Sequence, residues 1–109
     1  MRSHSASTVI KYALNNARTL AATADLKMLV VACNTVSAVA LDALAHEPAL
    51  RGVPVVGVIE PGARAASAAT KGGAIAVLGT AGTVRSGAYP RALAALGFAG
   101  RVEAVACPL

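Results

Sequence analysis

With 109 residues and 56% hydrophobic side chains, the chain can fill one modest core, and an aromatic content of 3% makes that core aliphatic and closely packed. No apolar run nears the roughly 18 residues of a membrane span, and the opening MRSHSAS lacks the apolar segment of a secretory signal, so no membrane is expected and a cytoplasmic location is. The net charge of +5 would suit nucleic acid, but the ten Lys and Arg are strung singly from Arg2 to Arg101 with almost no aromatics to stack bases, so no nucleic-acid partner is expected either.

In chain order, residues 5–24 put Ile10, Ala13, Leu14, Ala17, Leu20 and Ala24 on one helical face, with Ser3, Ser5 or Ser7 as N-cap. Met28 to Ala32 is too short for a buried helix and reads as a buried strand. A polar triplet follows, Cys33-Asn34-Thr35, and then a helix from Val36 to His46 with Val36, Val39, Ala40, Ala43 and Leu44 inward, closed by Pro48. Val53 to Ile59 is a second strand, and Pro61 suits the first position of a helix that runs to Thr70 and ends on Gly72 and Gly73. Ala74 to Leu78 is a third strand, followed by a loop from Gly79 to Arg85. Ser86 caps a fourth helix reaching Leu96, with Tyr89, Ala92, Leu93 and Leu96 inward, and Arg101 to Ala106 is a last strand. The order α-β-α-β-α-β-α-β calls for an α/β fold, a parallel sheet with flanking helices. Opening in a helix and closing on Cys-Pro-Leu, both ends read as cut.

Chemistry concentrates where the first strand meets its helix. In such folds ligands bind at the carboxyl edge of the strands. A thiol at a helix start feels the positive end of the dipole and nearby N–H donors, which favour the thiolate as nucleophile or base. The competing reading of Cys33 is a buried cysteine serving as a small hydrophobe; Asn34 and Thr35, with amide and hydroxyl groups beside it, weigh against that, although either could simply cap the helix. Residues 79–83, Gly-Thr-Ala-Gly-Thr, follow the third strand at the same edge and could hold a carboxylate or phosphate, or form an ordinary turn. Glu60 reads as a helix N-terminal carboxylate, His4 and His46 as surface residues, and Cys107 as structurally buried. Neither cysteine has partners at metal-ligand spacing, so no metal is expected.

VVACNTVSA, then VPVVGVIEPGARAA, then AVLGTAGTVRSGAYPRAL resemble the glutamate racemases of the aspartate/glutamate racemase superfamily, in order and along essentially the whole chain. The resemblance implies a cofactor-independent isomerase that interconverts L- and D-glutamate with two cysteines on opposite faces of the substrate, supplying D-glutamate for peptidoglycan. Cys33 matches one catalytic cysteine. Asn34, Thr35, Thr80 and Thr83 match positions that bind the substrate. The family's Asp-Ser and Pro-Tyr-Gly motifs would precede Met1, with Arg2-Ser3 resembling the residues just after the latter, and its second cysteine, in a Cys-Thr-His motif, would follow Leu109. Cys107 lies in Ala-Cys-Pro-Leu, which matches a different family segment. The resemblance therefore implies an internal fragment, inactive alone, of a two-domain fold: residues 1–58 belonging to the first lobe and residues 59–109 to the second. Full-length family members are often homodimers. The alternatives are an aspartate, other amino-acid or hydantoin racemase of the same superfamily, and a non-catalytic module that binds a small anion.

Overall fold

The computed structural model describes residues 5–108; Ser3 and His4 fall outside them. Ser5 opens the first helix, its Oγ accepting from the Thr8 N–H at 3.2 Å, which satisfies one of the donors a helix start leaves unpaired. Helix α1 then runs over Ala6–Thr23. Ile10, Ala13, Leu14 and Ala17 face the core as their spacing requires, joined by Ala21. Leu20 is 48% exposed and Ala24 is the C-cap, so the last turn drifts away from the core that the sequence pattern assigns to it.

Strand β1 (Leu29–Val30) pairs parallel with β2 (Val55–Val56), Leu29 opposite Val55 and Val30 opposite Val56. Both are shorter than the apolar runs around them, although flanking bonds extend the pairing: Leu29 N–H donates to the Pro54 carbonyl at 2.9 Å and Val31 N–H to the Val56 carbonyl at 2.7 Å. Helix α2 (Asn34–Ala45) starts two residues earlier than periodicity suggests and buries Ser37, Ala40 and Leu44. A short 3-10 turn (Pro48–Leu50) follows, capped by the Glu47 carboxylate, and it drops Leu50 into the core. That carboxylate also binds Arg18 of α1 at 3.1 Å, tying the turn to the first helix.

Val58 already has helical angles, so the second strand ends before Ile59 and α3 (Ile59–Thr70) starts there. Pro61 is consequently the third helical residue, not the first; it is still among the residues whose N–H has no partner within the helix, so its missing donor costs nothing. The left-handed turn that ends α3 begins on Lys71 (φ 49°), one residue before the expected glycine pair. Strand β3 (Ile75–Gly79) pairs parallel with β4 (Val102–Ala106) along its whole length. Between them the expected loop 79–85 is instead a short helix, α4 (Ala81–Ser86), followed by α5 (Ala88–Ala95). Gly87, at φ 67°, makes the bend between the two. Ser86 ends α4, yet its Oγ accepts from the Ala88 N–H at 3.1 Å and so still serves the start of the next helix.

The fold is α/β, with parallel strands and flanking helices. Its strands form two separate pairs, β1–β2 and β3–β4. Two buried clusters match them: Ala17, Val31, Ala40, Leu44 and Leu50 around the first pair, and Ala63, Ile75 and Leu93 around the second. Helices cover one face of each pair. On the other, Val30 (62% exposed) stands beside its register partner Val56, and Leu78 (72%) beside Val105. Among the described residues no helix is long and apolar enough to cross a membrane.

Candidate functional site

The valine-rich strand ends at Val31, whose N–H completes the ladder, and two residues later the chain turns into α2. Cys33 is the N-cap, in extended conformation (φ −86°, ψ 127°). Its carbonyl accepts from the Ser37 N–H at 2.9 Å, while its side chain makes no capping bond. The thiol is exposed, so the small-hydrophobe reading does not describe it. A cavity of about 380 Å³ opens beside it, lined among others by Val9, Tyr12, Val31, Cys33 and Thr35.

Thr35, in the first turn of α2, meets the start of α4. Its Oγ1 lies 2.8 Å from Thr80 Oγ1 and 3.3 Å from Thr83 Oγ1. Thr80 caps α4: its Oγ1 accepts from the Thr83 N–H at 3.2 Å and donates to Thr83 Oγ1 at 3.1 Å. Thr83 is 2% exposed and Thr35 half-buried. Gly82 permits the close approach, since a Cβ there would stand 3.4 Å from Thr35 Cγ2. Three hydroxyls from two helix starts thus form one cluster, next in sequence and space to the thiol. Hydroxyls both donate and accept, so such a cluster can exchange its internal bonds for bonds to a carboxylate or an ammonium.

Asn34 takes another direction. Its Oδ1 accepts a hydrogen bond from the Tyr89 hydroxyl of α5 at 2.6 Å.

A family model described as Asp/Glu/hydantoin racemase matches residues 2–107. The chain belongs to this family. Over 102 residues it is 50% identical to a glutamate racemase of Geobacter metallireducens, a match covering 94% of this chain and 36% of that relative. Among solved structures, a glutamate racemase isoform of Bacillus anthracis superposes with a TM-score of 0.88 at 43% identity, covering 96% of this chain and 38% of that one. A Francisella tularensis glutamate racemase in complex with D-glutamate superposes with a TM-score of 0.86 at 27% identity, covering 98% of this chain and 38% of that one. The chain therefore spans between a third and two fifths of the length of these racemases.

Two residues that hold this region together escape a reading of the sequence. Ser37 is buried on the inward face of α2; its Oγ donates to the Val31 carbonyl at 3.0 Å and accepts from the Val58 N–H at 3.3 Å, fixing the strand end before Cys33 against the start of α3. Gly57 leaves room for it, since a Cβ there would lie 2.9 Å from Ser37 Oγ. The signal was a lone hydroxyl on an otherwise aliphatic face. Tyr89 reads as an inward core residue, and its ring does pack against the Leu93 cluster, but its hydroxyl reaches Asn34; an inward tyrosine always needs a partner for that group.

Cys107 departs from expectation. It is exposed, not buried: β4 ends at Ala106, itself exposed, and the Cys107 N–H donates to the Gly79 carbonyl at 2.7 Å. Glu60 stands in the first turn of α3, paired with Arg64, and His46 is exposed at the end of α2, both as expected.

Proposed function

We propose that the chain is part of a glutamate racemase and carries one side of its proton-exchange centre. The observation that supports this best is an exposed thiol at the α2 N-cap beside the Thr35–Thr80–Thr83 hydroxyl cluster. In this reading Cys33, as thiolate, removes the Cα proton of glutamate. Asn34, Thr35, Thr80 and Thr83 bind the substrate's carboxylates and ammonium, and thereby fix which face of Cα meets the sulfur. Inversion needs a proton delivered to the opposite face. That donor is a second cysteine thiol in the Cys-Thr-His motif of the full-length fold, which then holds the reverse role in the reverse reaction. Residues 1–58 belong to one lobe of that fold and residues 59–109 to the other, so the threonine contacts lie between lobes. The whole enzyme, acting in the cytoplasm as a homodimer without a cofactor, supplies D-glutamate for peptidoglycan.

The relatives' names support glutamate as substrate, as does the D-glutamate complex of the Francisella protein. The family description also spans aspartate and hydantoin racemases, which keeps those substrates as the second reading. One chimera separates them. The matched segment of the Geobacter racemase is replaced by this chain's residues, and D-isomer formation is followed from L-glutamate and from L-aspartate. Glutamate turnover is expected, with Cys33→Ser lowering it at least about 100-fold. Turnover of aspartate alone would overturn the glutamate reading. The 109-residue chain by itself is expected to show no racemisation; turnover abolished by Cys33→Ser would refute the assignment of the second proton donor to a segment outside it.

A further inference from the structure

Asn34 is the exposed residue of the Cys33-Asn34-Thr35 triplet whose side chain is bound to α5 rather than to the threonine cluster. An asparagine carboxamide has two unlike ends, an oxygen that accepts and an NH2 that donates twice. Left unheld at an exposed position, it would rotate and offer either end to a ligand. Here the Tyr89 hydroxyl donates to Oδ1 at 2.6 Å, which engages one of the oxygen's two lone pairs and leaves both N–H donors for whatever enters.

Tyr89 is well placed to impose this. Its ring belongs to the packing around Ala63, Ile75 and Leu93, and Leu93, one turn further along α5, is 1% exposed and anchors the helix. Across the ring lies Gly62 of α3, where a Cβ would stand 3.4 Å from Tyr89 Cε1 and 3.5 Å from the hydroxyl oxygen. A small residue at 62 therefore leaves the phenol its position, and the aromatic ring carries the hydroxyl rigidly from one buried cluster to a residue that borders the other.

We propose that Tyr89 is a positioning residue that holds the Asn34 carboxamide by its oxygen and so keeps its NH2 end available to a carboxylate group on the ligand. This rests on Asn34 being a substrate-binding residue, as argued above. Freezing one rotatable side chain before binding is worth about 3- to 10-fold in affinity.

The test uses D-glutamate as probe and the chimera described above, which supplies the rest of the site, labelled for NMR, following the Asn34 side-chain NH2 signals. In the unchanged chimera, added D-glutamate should shift those signals. Tyr89→Phe, which keeps the ring and its packing, should weaken the apparent affinity about 3- to 10-fold, leave thermal stability nearly unchanged and shift the Asn34 NH2 signals even before ligand is added. In an Asn34→Ala background, where the backbone signals of Thr35 report binding, Tyr89→Phe should cause no further loss. Unchanged affinity in Tyr89→Phe, or an equal loss in the Asn34→Ala background, would overturn the positioning role. A different result marks failure of the underlying reading: Asn34 NH2 signals that respond to Tyr89→Phe but not to millimolar D-glutamate would show that Asn34 is held by Tyr89 yet binds no substrate, and the contact with a carboxylate would fall with it.

Discussion

Around Leu44 helices pack over a very short pair of strands; around Leu93 helices pack over a longer one. The first half sets an 18-residue α1 and a 12-residue α2 over strands only two residues long, and it needs Ser37 to hold the strand end in place. The second half has five-residue strands in continuous register and covers them with α3, of 12 residues, and α5, of eight. The halves thus differ chiefly in the length of their ladders. The short ladder of the first half ends just before Cys33, and the cluster under α5 in the second is the one from which Tyr89 reaches out.

Truncating the two central leucines tests whether the halves are separate. Leu44→Ala and Leu93→Ala should each destabilise by about 2–5 kcal/mol in urea unfolding, the transfer loss plus the cavity left behind. Because the two share no buried cluster, the double variant should lose roughly the sum; a loss far from additive would mean a single shared core. Ser37→Ala removes the partner of both the Val31 carbonyl and the Val58 N–H, and should cost about 1–3 kcal/mol. Faster hydrogen exchange at the Val58 amide, with Ile75 and Val77 unchanged, would place that cost in the first half alone.

The smallest effect concerns pH. The hydrogen bond from Arg18, the largest influence, holds the Glu47 carboxyl below its usual range, against a modest opposing effect of burial. A carboxylate whose pKa is lowered by folding adds stability above its unfolded value, and that contribution fades as pH falls through the folded one. Stability should therefore decline on acidification below the ordinary glutamate range, near about pH 4.3, more steeply in the unchanged protein than in Arg18→Gln. Parallel acid limbs for the two proteins would show that the pair contributes nothing to the link between α1 and the turn at Pro48–Leu50.

Much of this architecture was legible in the residues. A serine cap for α1 was legible because a hydroxyl before an apolar 3.6-residue period has one good local use, although only the structure selects Ser5 among Ser3, Ser5 and Ser7; Cys33 fell at the strand–helix junction because the valine run stops there. Other features needed the third dimension. Gly79 to Arg85 reads as a loop since glycine and threonine are poor helix formers, yet Thr80 caps it and Thr83 buries against Thr35, so tertiary contact overrides propensity. Cys107 reads as buried because it ends an apolar strand; the structure leaves it exposed, just past the last strand residue Ala106. The approach of Thr35 to Thr80, 45 positions apart, leaves no trace in local pattern. Neither does the bond from Tyr89 to Asn34, which joins residues that sequence reading puts to different uses.

The bare aliphatic pairs on the strands have a colloidal consequence. Val30 beside Val56, and Leu78 beside Val105, present branched side chains to water in fixed register, each pair a ready contact for another apolar surface. A net charge of +5 and an isoelectric point near 9.9 add electrostatic repulsion between copies. Association through those valines and leucines is therefore expected to rise in alkaline buffers that approach the isoelectric point and in salt that screens the charge.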